Sequence, residues 1–167
     1  MHRAPTRPRA LVLLAIVVAT LGIAACEPTP QKVVAPTTAK ATCTTTSTRS
    51  IVVAESIVNS TRRLLAAAKA DGLLLCGGGY RDAASQIAVR KANCGTTSYD
   101  IYEKPASECT PPTAKPGTSM HEKGLAIDFE LCSTRTTKCH TWLAKHAASY
   151  GFKNLPSEPW HWSTTGG

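Results

Sequence analysis

The residues best placed to do chemistry are two histidines and two carboxylates. His121 and Asp128 lie seven positions apart in PGTSMHEKGLAIDF (116–129), and His161 follows Glu158 by three in SEPWHW (157–162). A catalytic zinc takes three protein ligands drawn from His, Asp, Glu or Cys and keeps a position for water. His121, Asp128 and His161 could supply such a set, with Glu158 able to reach the water. Asp128 is the informative member, because it interrupts Leu125–Phe129, which otherwise reads as a buried strand. A buried carboxylate needs an opposite charge. A metal ion is one partner; a structural ion pair with Arg81 or a lysine is another. HEKGL (121–125) begins like the H-E-x-x-H zinc motif, but Leu125 stands where the second histidine belongs and Gly124 weakens any helix. Glu122 is therefore not expected to be a catalytic base. His140 and His146 fall on a helix beside Lys138 and Lys145, where solvated surface is the expectation.

Three segments carry a resemblance. SMHEKGLAID (119–128) is similar to the S-x-H-x-x-G-x-A-x-D signature of the LAS metallopeptidases, and EPWHW (158–162) to their E-x-W-H signature. GYRDAASQ (79–86) resembles the upstream G-Y-R-S-x-x-x-Q segment of the VanY-type D-alanyl-D-alanine carboxypeptidases. The resemblance implies one zinc ion on His121, Asp128 and His161, Glu158 as catalytic base, substrate contacts from Arg81 and Gln86, and a pocket shaped in part by Ser119. It also implies the reaction: hydrolysis of the terminal D-Ala from peptidoglycan stem peptides. A D,D-dipeptidase, an endopeptidase of the same fold and a non-catalytic zinc-containing wall-binding lipoprotein are the alternatives. Asp82 departs from the pattern, standing where Ser is usual, and could tether Arg81 or blunt its charge. Arg81 could share the oxyanion or clamp a substrate carboxylate with its planar fork. Trp160, Trp162 and Tyr80 could wall the pocket or pack the core.

The elements that must position these residues read as follows. Arg3, Arg7 and Arg9 precede an apolar stretch, Ala10–Ala25, too short for a comfortable membrane span and ending in LGIAAC. Ile23–Cys26 resembles the bacterial lipobox, so residues 1–25 are expected to be a signal peptide and Cys26 a lipidated N-terminus that anchors an exported protein facing the wall. Its removal takes Lys+Arg from 19 to 16 against 11 Asp+Glu, leaving a charge of +5. That suits anionic wall polymers or a solubilising surface. The scattered basic residues do not suggest nucleic acid, and a monomer is expected.

Residues 26–48 are rich in Thr, Pro and Ala and read as a tether; residues 49–167 read as the folded domain. The expected class is α+β: a small antiparallel sheet flanked by helices and stapled by disulfides. Apolar spacing predicts a helix over 50–70, a buried strand at 73–76, a loop at 77–80 and a helix over 82–92 capped by Asp82. Residues 96–119 read as loop, and 125–131 as a strand alternating Ala126, Asp128 and Glu130 against Leu125, Ile127, Phe129 and Leu131. A turn at 132–139, a helix over 141–150 and strands at 152–155 and 160–163 complete the reading. Apart from Cys26 there are six cysteines, which suits an oxidising compartment. Six cysteines permit 15 pairings. Cys132 and Cys139 bracket one polar loop, Cys94 and Cys109 another, and Cys43 remains to clip the domain's entry to Cys76.

Overall fold

SIVVA at Ser50–Ala54 is rich in β-branched residues, and in this computed structural model it forms a strand, β2, rather than the first turns of a helix. The structure describes residues 35–43 and 50–167. Strand β1, Thr38–Thr42, pairs antiparallel with β2, setting Thr38 opposite Ala54 and Thr42 opposite Ser50. The reading of 26–48 as tether is corrected there: residues 38–42 join the folded unit, because backbone pairing asks little of their side chains. The expected lipidation at Cys26, and the signal peptide expected before it, lie outside the described residues. Among those residues no helix is long and apolar enough to cross a membrane.

Helix α1 spans Glu55–Ala70 and buries Ile57, Val58, Leu64, Leu65 and Ala68 along one stripe. The stretch 73–76 is not a strand; Leu75 and Cys76 are buried while Leu74 is exposed. The strand falls one step later, as β3 at Gly77–Gly78, within the stretch expected to be loop. Helix α2, Ala83–Cys94, is capped by Asp82, whose side chain accepts a hydrogen bond from the Ser85 amide. The expected loop 96–119 holds a short helix, α3, at Ser98–Tyr102, closed by a reciprocal cap between Thr97 and Asp100. β4 is Ala126–Phe129. Leu131 lies beyond it, exposed and with φ of 65°, so the expected inward alternation ends at Phe129. α4 starts earlier than expected, at Lys138, because Thr137 caps it; it runs to His146 and continues as a 3-10 turn over Ala147–Tyr150. β5 is Lys153–Leu155 and β6 is Glu158–Ser163.

The second sheet has the order β3-β4-β6-β5, with every neighbouring pair antiparallel. Its core contacts come from Phe129, Leu143, Phe152 and Trp162, continuous with Ile51, Val53 and the buried stripe of α1. Disulfides join Cys43 to Cys76, Cys94 to Cys109 and Cys132 to Cys139. The expected class, a small antiparallel sheet with flanking helices and disulfide staples, is the observed one.

Candidate metal centre and active site

The pairing of β4 with β6 sets Asp128 directly opposite His161. The turn before β4 brings in His121. His121 Nε2 lies 3.1 Å from Asp128 Oδ1 and 3.2 Å from His161 Nδ1. His161 Nδ1 lies 2.9 Å from the same Asp128 oxygen. The other His121 nitrogen, Nδ1, donates to the Gly79 carbonyl at 2.7 Å, which aims Nε2 at the triangle. Glycine at 79 lets the chain pass this close to β2: a Cβ there would sit 2.0 Å from the Val52 carbonyl oxygen. Both histidines are buried, while the Asp128 side chain is 31% exposed toward the cleft. Burial alone would raise the Asp128 carboxyl, but hydrogen bonds and charge from His121 and His161 outweigh it and hold it far below the usual carboxylate range.

Two imidazole nitrogens and a carboxylate oxygen converging this closely are a metal donor set, and their ligand atoms all lie within 4.8 Å of one another. A tetrahedral zinc with bonds of about 2.0–2.1 Å spaces its donors roughly 3.3 Å apart, close to the separations here. The residues fit a small divalent ion.

Glu158 opens β6, and its Oε2 stands 4.0 Å from His161 Nδ1. Burial is the main influence on its carboxyl and pushes it up. Arg81 lines the same cleft. Its Nη1 donates to Gln86 Oε1 at 2.9 Å, its Nη2 lies 3.6 Å from Asp128 Oδ2, and Gln86 Nε2 donates to the Ala114 carbonyl at 2.8 Å. Of the alternatives for Asp128, the contact with Arg81 is observed, and the two histidines that could share a metal ion with it meet the same carboxylate. Ser119 is buried, and its Oγ accepts from the His121 amide at 3.2 Å. A cavity of about 230 Å³ joins Arg81, Gln86, Ser119, Glu158 and Trp160 to the three metal-type residues.

Other expectations resolve differently. Tyr80 lies outside this cavity, lining a neighbouring one with Asp82 and Glu122, and its amide bonds the Val52 carbonyl. Trp162 packs in the core, whereas Trp160 reaches the cleft. Asp82 does not tether Arg81: it caps α2, and the Ser85 amide and hydroxyl hold its carboxyl below the ordinary range. Glu122 is buried and structural, accepting from the Gly117 amide at 2.7 Å, with its carboxyl raised by burial. His140 is not on a solvated surface; it is buried beside the Trp162 ring, with centroids 5.8 Å apart. His146 stacks on Trp142 at 4.5 Å. Neither belongs to the metal-type cluster. The far wall of the cleft, Val89, Asn93 and Pro111–Ala114, was not foreseen. Prolines and small residues carry no chemical signature in a sequence.

Residues 50–166 match the family described as VanY: D-alanyl-D-alanine carboxypeptidase. Among solved structures, the chain is similar to VanYB in complex with D-alanine-D-alanine, at 24% identity and a TM-score of 0.50, covering 67% of this chain and 71% of that one. It is also similar to a variant of the vancomycin-resistance D,D-pentapeptidase VanY from a VanB-type cassette in complex with Zn(II). That match has 24% identity and a TM-score of 0.51, covering 70% of this chain and 75% of that one. No curated protein matches the chain.

Proposed function

We propose, from the premise that the chain belongs to the VanY D-alanyl-D-alanine carboxypeptidase family, that it is a zinc peptidase removing the terminal D-Ala from peptidoglycan stem peptides. The observation that carries this is the His121–Asp128–His161 triangle, with Glu158 at its edge and Arg81 beside Asp128, all in one cleft. His121, Asp128 and His161 would hold a divalent ion, which would supply Lewis acidity toward a water and the scissile carbonyl. The chain's own groups do the rest. Asp128 and the two imidazoles present three lone pairs in a fixed array, and Gly79 keeps His121 in the required tautomer. Glu158 takes the water's proton and passes it to the leaving amine; a carboxyl raised by burial suits both halves of that transfer. Arg81, oriented by Gln86, offers its free N–H groups to negative charge on the substrate.

The same reading makes Cys26 a lipid-modified anchor that holds the domain near the wall, and the protein a monomer. The test of the reaction is free D-Ala released from a stem pentapeptide ending in D-Ala-D-Ala, with and without a chelator. Release that stops with chelator and returns with zinc supports both metal and reaction. Release of an intact D-Ala-D-Ala dipeptide would make it a dipeptidase, and no release by a folded, zinc-loaded protein would overturn the reading.

A further inference from the structure

Arg90 is fully buried, yet its bonds go to backbone carbonyls and a disulfide sulfur. Nε donates to the Ile101 carbonyl at 3.0 Å. Nη2 donates to those of Asp100 at 2.6 Å and Lys104 at 2.8 Å. Nη1 donates to the Thr113 carbonyl at 2.5 Å and lies 3.3 Å from Cys109 Sγ. Removing a guanidinium from water is expensive, and neutral carbonyls return less than a carboxylate would. Such an arrangement fixes geometry more than it adds stability. The geometry it fixes is the far wall of the cleft. Gln86 and Arg90 stand one turn apart on α2 and hold consecutive carbonyls, Ala114 and Thr113. Asn93, on the same side, donates to Thr113 Oγ1 at 2.9 Å, and the Cys94–Cys109 bond closes the loop behind it.

We propose that Arg90 is a positioning residue for substrate binding. It fixes Thr113, hence Ala114, hence the Gln86 amide, and through Gln86 Oε1 the guanidinium of Arg81. The same clamp sets how closely the Pro111–Ala114 wall approaches a bound peptide. The inference rests on the carboxypeptidase reading and adds to it the residue that tunes Arg81 without touching substrate. A point-like ammonium cannot span these carbonyls, so Arg90→Lys should behave like Arg90→Met rather than rescue it.

The experiment is steady-state D-Ala release by zinc-loaded Arg90→Met, Gln86→Ala and the double variant. Arg90→Met is expected to raise KM about tenfold with kcat within about twofold, because a shifted guanidinium weakens binding before it alters the chemistry. Zinc content should be unchanged. The Gln86 and Arg90 effects should be markedly less than additive, since both act through one chain of contacts. A folded Arg90→Met with wild-type KM, or full additivity with Gln86→Ala, overturns the proposal. If Arg90→Met does not fold, Asn93→Ala, which leaves Arg90 in place, replaces it. It should raise KM roughly threefold and stay sub-additive with Gln86→Ala, and unchanged kinetics would overturn the proposal. A wild-type protein that releases no D-Ala removes the carboxypeptidase reading and this one together; a wild-type that releases it, with variants unaffected, removes this one alone.

Discussion

At the scale of single residues, the proposed mechanism separates metal holding from proton transfer. Glu158 is near the ligand triangle but outside it, so its loss should leave the metal in place. Glu158→Gln is expected to lower kcat by about 10²–10⁴ with zinc content and melting temperature close to wild type; near-normal turnover would remove Glu158 as the base. Asp128 is different, because two histidines and Arg81 converge on its oxygens. Asp128→Ala should abolish zinc binding in dialysed protein, read by metal analysis, and leave two imidazole nitrogens facing each other without an acid between them. That these residues would meet in one cleft was legible in the sequence, from donor types at a fixed spacing and from the resemblance of their segments. Arg90 was not, since nothing in AVRKAN (88–93) separates a buried clamp from a solvated helical arginine. His140 was misjudged for a related reason: Lys138 and Lys145 suggested a solvated face, whereas the side chain is buried beside the Trp162 ring.

At the scale of elements, the cleft depends on backbone approach and on caps. Gly124 has φ of 67°, and a Cβ there would lie 2.7 Å from the Ala54 nitrogen, which donates to the Gly124 carbonyl. Gly124→Ala should cost at least about 1–2 kcal/mol from the left-handed backbone alone, seen as a melting temperature several degrees lower. The loop between the motifs was expected to be irregular, yet Thr97 and Asp100 cap α3 within it. The carboxyls of Asp82 and Asp100 are both held low, first by hydrogen bonds from Ser85 and from Thr97 respectively. A carboxylate whose folded value is depressed adds stability that is complete above its ordinary value, about 3.9, and disappears as pH falls through the lower one. Asp100→Asn should therefore melt below wild type at pH 6, with the gap closing below about pH 4. A gap that persisted into acid would contradict that linkage. Strand boundaries were the least legible elements. β3 is set by a partner far along the chain, β4, and β2 by β1, which lies in a stretch that reads as tether; local apolar spacing registers neither.

At the scale of the whole molecule, the two halves of the site come from separate parts of the chain. Asp128 and His161 stand on the sheet and His121 on the turn before it, while Gln86 is on α2, Arg81 just precedes its cap, and the wall is the loop that α2 holds. Metal binding should therefore stabilise the sheet side by mass action, by about 2.7 kcal/mol at a hundredfold excess over Kd. A chelator should lower the melting temperature of wild type and leave that of Asp128→Ala unmoved. A final consequence follows from β1 and its bond to Cys76. If the chain before residue 35 is held at a surface, traction on the domain enters through β1. Tension there would open the β1–β2 ladder from the Thr38–Ala54 end, one rung after another. The Cys43–Cys76 link would arrest that peeling and hand the load to the chain beside Gly77, whose partner Phe129 adjoins Asp128. Mechanical strain on that upstream chain would then reach the cleft through one disulfide and one pair of hydrogen-bonded strands.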